Sequence, residues 1–180
     1  MLDDKRLIWK VKNGCTDSLR RIYESHKDDL LTLANALLND RSAAEDAVHD
    51  VFVAFAAAAP TLQLRKNLRG YLVSSVRNLA YDRLRAAKRH GEKLAEFAAE
   101  RLDCETPDAV AARTENQVLL RRALAALPFE QREVVVLHVR ANLTFKQIAA
   151  MQDASINTVQ GRYRYGIQKL RSLLNGQANP

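Results

Sequence analysis

The chain is short of the residues that mark several protein classes. It has two cysteines, Cys15 and Cys104, in 180 residues. They are too few for a disulfide framework and do not form a Cys-x-x-Cys pair of the metal-binding type. Reduced thiols in a cytoplasmic protein are the simplest reading. Six glycines and four prolines exclude collagen-like and low-complexity chains. The longest unbroken apolar run, 51–59, is far below the ~20 residues needed to cross a bilayer, so no membrane insertion is expected. The start carries Asp3, Asp4, Lys5 and Arg6 and lacks the apolar segment of an export signal. There is no grouping of nucleophile, base and oxyanion donors, no glycine-rich phosphate loop and no metal-ligand cluster. No enzyme activity, no cofactor and no metal site are therefore expected.

What is present is charge and helical period. Lys and Arg number 28 against 21 Asp and Glu, a net charge of +7. This balance points to a polyanionic partner, nucleic acid before an anionic membrane surface. Nearly every segment has the apolar spacing of a helix, and Gly14, Pro60, Gly70, Gly91, Pro107 and Pro128 fall between the periodic stretches. Val134 to Leu137 has the composition of a buried strand, but it lies inside the longer pattern 131–140 with no turn signals beside it, so helix is expected. The expected fold is all-α, with two small helical domains at 1–90 and 114–176. A linker, 91–113, joins them, acidic and holding Pro107.

The charge is segregated along the chain. Residues 28–50 hold six acids and one base, residues 65–93 nine bases and two acids, and residues 92–115 seven acids and three bases. A solvated face explains any one such block; alternation in separate segments points to distinct surfaces.

The C-terminal domain carries the clearest motif. Thr144-Phe-Lys-Gln147 has the form of a capping box, with a hydroxyl and an amide three residues apart. Ile148 and Ala149 follow, Gln152-Asp-Ala154 break the pattern, and Ser155 suits the N-cap of a second helix. In that helix Ile156, Val159, Tyr163, Ile167, Leu170 and Leu173 make an apolar stripe. Two helices with a three-residue turn form a helix-turn-helix, whose second helix would lie in the major groove. Asn157, Thr158, Gln160 and Arg164 have donors and acceptors for base edges, and Arg162, Lys169 and Arg171 suit phosphates. Asp153 stands where such turns usually have Gly, and Asp tolerates positive φ. A plain helical hairpin with a basic solvated face is the bland alternative.

Two helices of the N-terminal domain also separate into faces. In 71–89, Leu72, Val73, Val76, Leu79, Ala80, Leu84 and Ala87 are expected inside. Ser74, Arg77, Asn78, Tyr81, Arg85 and Lys88 are expected outside, a mixture of cations, amide and aromatic ring that suits unstacked bases. In 42–59, Ala44, Ala47, Val48, Val51, Phe52 and Phe55 are expected inside and Glu45, Asp46, His49 and Asp50 outside. An acidic face repels DNA, so this side should meet another protein or nothing.

Ala44-Glu-Asp-Ala-Val-His-Asp-Val-Phe52 and Gly70-Tyr-Leu-Val-Ser-Ser-Val-Arg-Asn78-Leu-Ala-Tyr-Asp82-Arg-Leu-Arg85 resemble the first conserved region of bacterial RNA polymerase sigma factors. Leu127-Pro128, Gln131-Arg-Glu-Val134, Ile148-Ala149 and Asn157-Thr-Val-Gln-Gly-Arg162 resemble the second. Two regions joined by a short linker are similar to the extracytoplasmic-function (ECF) subgroup. The resemblance implies that Asp46, His49, Asp50 and Phe52 dock on the clamp coiled coil of the polymerase largest subunit, with His49 in place of the usual Gln. It implies that Arg77, Asn78 and Asp82, with the preceding loop that holds Arg65, Lys66 and Arg69, engage the −10 promoter element, and Tyr81, Arg85 and Lys88 on the same outer stripe are expected to join them. Tyr71 replaces the usual Trp there. Residues Asn157, Thr158, Gln160, Gly161, Arg162, Arg164, Gln168 and Lys169 match the −35 recognition helix, with Gln160 and Gly161 replacing a common Lys-Ser pair, which implies a different −35 preference. The partners so implied are the polymerase core, promoter DNA and, as often in the family, an anti-sigma factor. Two other readings stay open: a helix-turn-helix regulator that binds operators without polymerase, and a helical adaptor that binds only proteins.

Overall fold

The computed structural model describes residues 2–62, 67–89 and 115–177, the side chains of residues 2, 3, 5, 88, 89, 115, 176 and 177 excepted. The expected linker 91–113, Arg65, Lys66 and the side chain of Lys88 lie outside the described residues. These residues form eight helices and no strand. The chain divides into two compact units, Met1–Arg85 and Ala86–Pro180.

The first unit contains α1 (Leu2–Lys12), α2 (Thr16–Leu38), α3 (Arg41–Ala58) and α4 (Leu68–Arg89). α1 and α3 both lie against α2. The turn between α2 and α3 is only two residues long, and each residue suits its place. Asn39 ends α2 in the left-handed conformation, φ 56°, its N–H donating to the Asn35 carbonyl at 2.8 Å, a geometry that Asn tolerates better than most residues. Asp40 then caps α3 by accepting from the Ala43 N–H at 3.0 Å, worth about 1 kcal/mol. The core collects Ile22, Leu30, Leu33 and Leu37 from α2 and Val48, Val51 and Phe55 from α3. α4 adds Leu68, Leu72, Val73, Val76 and Ala80. Its own start is capped by Asn67, whose Oδ1 accepts from the Gly70 N–H at 2.8 Å.

The second unit contains α5 (Glu115–Ala125), α6 (Phe129–Val139), α7 (Phe145–Gln152) and α8 (Ile156–Gln177). α8 lies against each of the other three. Pro128 divides α5 from α6, where its missing N–H removes a donor that has no helical partner. The 134–137 segment is helical, as its surroundings indicated, and Val134, Val135, Val136 and Leu137 are all buried. Full burial of each such side chain contributes about 1.5–3 kcal/mol. Ala123, Leu127, Val135 and Leu170 make one cluster, with Tyr163, Ile167 and Leu173 packed against it. Ile156 departs from its expected stripe and is 43% exposed. It begins α8, beyond the part of the stripe that packs on that cluster.

Gly166 of α8 is fixed by packing. A Cβ there would stand 3.0 Å from Val135 Cγ2 and 3.4 Å from the Gln131 carbonyl oxygen, so α6 and α8 approach as closely as they do because the position is bare. Gly166→Ala should destabilise the second unit by about 1–2 kcal/mol, overpacking outweighing better helix propensity. Urea unfolding would check this, and a stability gain would refute the packing role.

Candidate nucleic-acid interface

The second unit builds a helix-turn-helix from local chemistry. Thr144 Oγ1 accepts from the Gln147 N–H at 3.3 Å while Gln147 Oε1 accepts from the Thr144 N–H at 2.8 Å, completing the expected capping box. Asp153 takes the left-handed conformation, φ 49° and ψ 48°, with its N–H on the Ala149 carbonyl, so the departure from Gly is accommodated. Ser155 Oγ then accepts from the Thr158 N–H at 3.0 Å. α8 presents Asn157, Thr158, Gln160, Arg164, Gln168 and Lys169 to solvent, with Gly161 partly exposed among them.

Arg162 behaves differently from its expected phosphate-facing role. It is half-buried, and its Nη1 donates to Gln152 Oε1 at 2.6 Å. The Gln152 Nε2 in turn donates to Glu133 Oε2 at 2.6 Å. Glu133 is 1% exposed, a position where a carboxylate is strongly destabilised without hydrogen bonds. The amide of Gln152 links the buried acid to the guanidinium by donating with one end and accepting with the other. This relay fastens α6, the end of α7 and the recognition helix together. Next to Glu133, burial pushes the Arg132 guanidinium down to about 10, still well above neutral pH, so it stays charged, with its guanidinium over the Phe129 ring at 5.7 Å. A second support is aromatic. His138 stacks on Phe145 at 4.4 Å and meets Tyr163 edge-on at 5.1 Å, while its Nδ1–H donates to the Leu143 carbonyl at 2.8 Å.

In the first unit the acidic face of α3 forms as expected, with Glu45 exposed at its start. Asp46, His49 and Asp50 are exposed. Phe52, placed with them by resemblance, is 6% exposed and packs edge-on against Tyr23 with centroids 4.9 Å apart. It holds α3 on α2 from within. The apolar side chain that this face does present is Val53, three residues beyond Asp50 and exposed. Asp50 is engaged by Arg83, whose Nη2 donates to its Oδ2 at 2.7 Å while Nη1 donates to the Ala43 carbonyl at 2.7 Å. One guanidinium therefore ties α4 to two turns of α3.

α4 keeps Asn78, Tyr81, Asp82 and Arg85 exposed, with Tyr71 half-buried 6.0 Å from Phe55. Arg77 was expected on that outer stripe and is instead 8% exposed. Its Nη1 donates to Asn78 Oδ1 at 3.2 Å, and its guanidinium lies 5.1 Å from the centre of the Tyr81 ring. It therefore braces the two exposed side chains rather than standing beside them. Arg69 reaches Asp29 at 3.6 Å, a loose and exposed pair of little energetic weight.

Residues 22–90 match the family model for sigma-70 region 2, and residues 117–170 match the model for sigma-70 region 4. Together they take in more than half of the chain, in the family's order. The chain belongs to the sigma-70 family, in its ECF subgroup. Its function is that of a sigma factor in transcription initiation, and the reading as a regulator working without polymerase is not favoured. The sigma factor is 24% identical to ECF RNA polymerase sigma factor SigW of Bacillus subtilis, over 94% of this chain and 96% of that one. It is 26% identical to ECF RNA polymerase sigma factor EcfG of Rhodopseudomonas palustris, over 88% and 86%. Its fold is shared by the sigma factor RpoE from Bartonella quintana, solved in complex with the anti-sigma factor NepR, with TM-score 0.68 and 20% identity over 87% of this chain and 96% of that one. CnrH, solved with the cytosolic domain of CnrY, also has TM-score 0.68 and 20% identity, over 97% and 98%.

Four features of the sigma factor had no clear sequence signal: the Arg83 tie, the Gln152 relay, the exposed Val53 and the exposed Tyr165. Arg83 and Asp50 are 33 residues apart in the chain, and Gln152 and Glu133 are 19 apart. Gln152→Leu should destabilise the second unit by about 1–3 kcal/mol, because it takes a donor from buried Glu133. Chemical unfolding of the variant would measure the loss; unchanged stability would mean the relay contributes nothing.

Proposed function

We propose a division of labour among three surfaces of this sigma factor. The exposed Asp46, His49 and Asp50 of α3 dock on the clamp coiled coil of the polymerase largest subunit. α4, through Asn78, Tyr81 and Arg85, with Tyr71 and Arg69 near its start, holds single-stranded −10 DNA. Arg65 and Lys66 are assigned to the same strand by resemblance, and Lys88 by its position on the outer stripe of the same helix in the sequence. α8 reads duplex −35 DNA with Asn157, Thr158, Gln160, Gly161, Arg164, Gln168 and Lys169. Arg162, Arg77 and Phe52 act from behind these surfaces, by positioning their neighbours. The observation that carries this reading is the separation of an acidic exposed face on α3 from cationic, amide- and aromatic-bearing faces on α4 and α8.

The mechanism is differential binding without covalent chemistry. α8 would set the position on duplex DNA, where cations meet phosphates and amides meet base edges. Unstacking a −10 base costs a few kcal/mol. Stacking on an aromatic side chain such as Tyr81, worth about 1–3 kcal/mol per base, and hydrogen bonds to Asn78 would offset that cost. Like charge keeps the acidic face of α3 off DNA and free for the polymerase. A protein that works with polymerase and has no helix long and apolar enough to cross a membrane among its described residues is assigned to the cytoplasm. Because RpoE and CnrH were each solved with a bound partner, an anti-sigma factor is proposed as a further partner of this chain.

Transcription in vitro with core enzyme on a promoter library tests the whole reading: specific start sites are expected only when this chain is added. Asn78→Ala should lower permanganate reactivity of the opened −10 strand about tenfold, equivalent to ~1.4 kcal/mol, with core binding intact; a wild-type footprint would refute its role. Asp46→Arg should weaken capture of core enzyme about tenfold or more by charge reversal. Full retention in a pull-down would remove α3 from the docking surface.

A further inference from the structure

Two of the glycines of α8 stand five residues apart, and the described residues explain only one of them. Gly166 is demanded by α6. At Gly161, no atom of the described residues, apart from its two chain neighbours and the local helix backbone, lies within 4 Å of where a Cβ would stand. Its backbone supplies no reason either, because its φ is not in the positive region that favours glycine. An alanine would fit and would strengthen the helix. A glycine where neither packing among the described residues nor conformation calls for one leaves room for close approach from outside.

The surroundings of Gly161 indicate what approaches. On a helix its neighbours along the surface are the residues three and four positions away, Asn157, Thr158, Arg164 and Tyr165, all of them exposed. The Thr158 hydroxyl is engaged with Ser155 Oγ at 2.8 Å, and the same side chain also carries a methyl group. Tyr165 is 56% exposed, with the Arg164 guanidinium 5.2 Å from its ring centre. A bare α-carbon between a methyl and an aromatic ring is an apolar notch in an otherwise polar surface. In the major groove the apolar group that distinguishes one base is the C5-methyl of thymine.

We propose that Gly161 is a specificity notch that seats the C5-methyl of one −35 thymine between Thr158 and Tyr165. The inference rests on the assignment of α8 to −35 DNA and adds the base feature that it reads. Its test uses holoenzyme assembled from core and the full chain on a promoter obtained by selection. Each −35 thymine is replaced in turn by deoxyuridine, which differs only in lacking the methyl. One replacement should weaken wild-type binding about fourfold, the worth of one buried methyl group. In Gly161→Ala the penalty for that same replacement should vanish, while the variant melts about 4 °C or more higher. The proposal is overturned if no replacement weakens wild-type binding, if Gly161→Ala keeps the same discrimination, or if its melting temperature falls. Failure of wild-type holoenzyme to select any promoter is a different result, one that removes the functional reading and this inference with it.

Discussion

Most of the described helices of this sigma factor have an apolar stripe, and helices of this length owe most of their stability to a neighbour that buries it. That constraint organises both units. In the first, α2 takes the stripes of α1 and α3; in the second, α8 takes those of α5, α6 and α7. What remains outside is largely polar, and its composition then decides what it can touch. The acidic face of α3 and the cationic face of α8 are the remainder left by core formation.

Burial also selects among the polar side chains. Arg77, Arg132 and Glu133 are all buried, and a buried charge is tolerated only where hydrogen bonds or opposite charge compensate it. Glu133 meets that requirement through the amide of Gln152, which has Arg162 at its other end. The recognition helix is thus held by a polar link as well as by Val159 and Leu170 in the core. Arg83 performs a comparable task between α3 and α4, with one guanidinium bonded to a carboxylate and a backbone carbonyl. Such charge-assisted contacts are directional, and they set the orientation of the working faces where apolar packing alone would allow sliding.

Local chemistry made much of the fold legible in the sequence. The capping box at Thr144 and Gln147, the N-cap at Ser155 and the break at Pro128 each act within a few residues, and each has its expected geometry. The two family regions were equally legible, since their motifs lie in order along the chain. The candidate site was legible as faces and less so as residues. Periodicity places Arg77 outside because Arg is usually exposed, and it places Ile156 inside because Ile is usually buried. Both rules fail here for positional reasons: Arg77 has Asn78 and Tyr81 to satisfy it, and Ile156 begins its helix beyond the packed stretch.

The sequence by itself determined the helices, their caps, the segregation of charge and the family, because these depend on composition, short spacing and order. Only the tertiary structure decided which charged groups work at the surface and which support it from below. The Arg83–Asp50 tie and the Glu133–Gln152–Arg162 relay join residues that are 33 and up to 29 positions apart, and helical period carries no information about contacts between helices. Two of the glycines of α8 make the same point. Gly161 and Gly166 are identical letters on one helix, and only the position of α6 shows that one is held by packing and the other is left open.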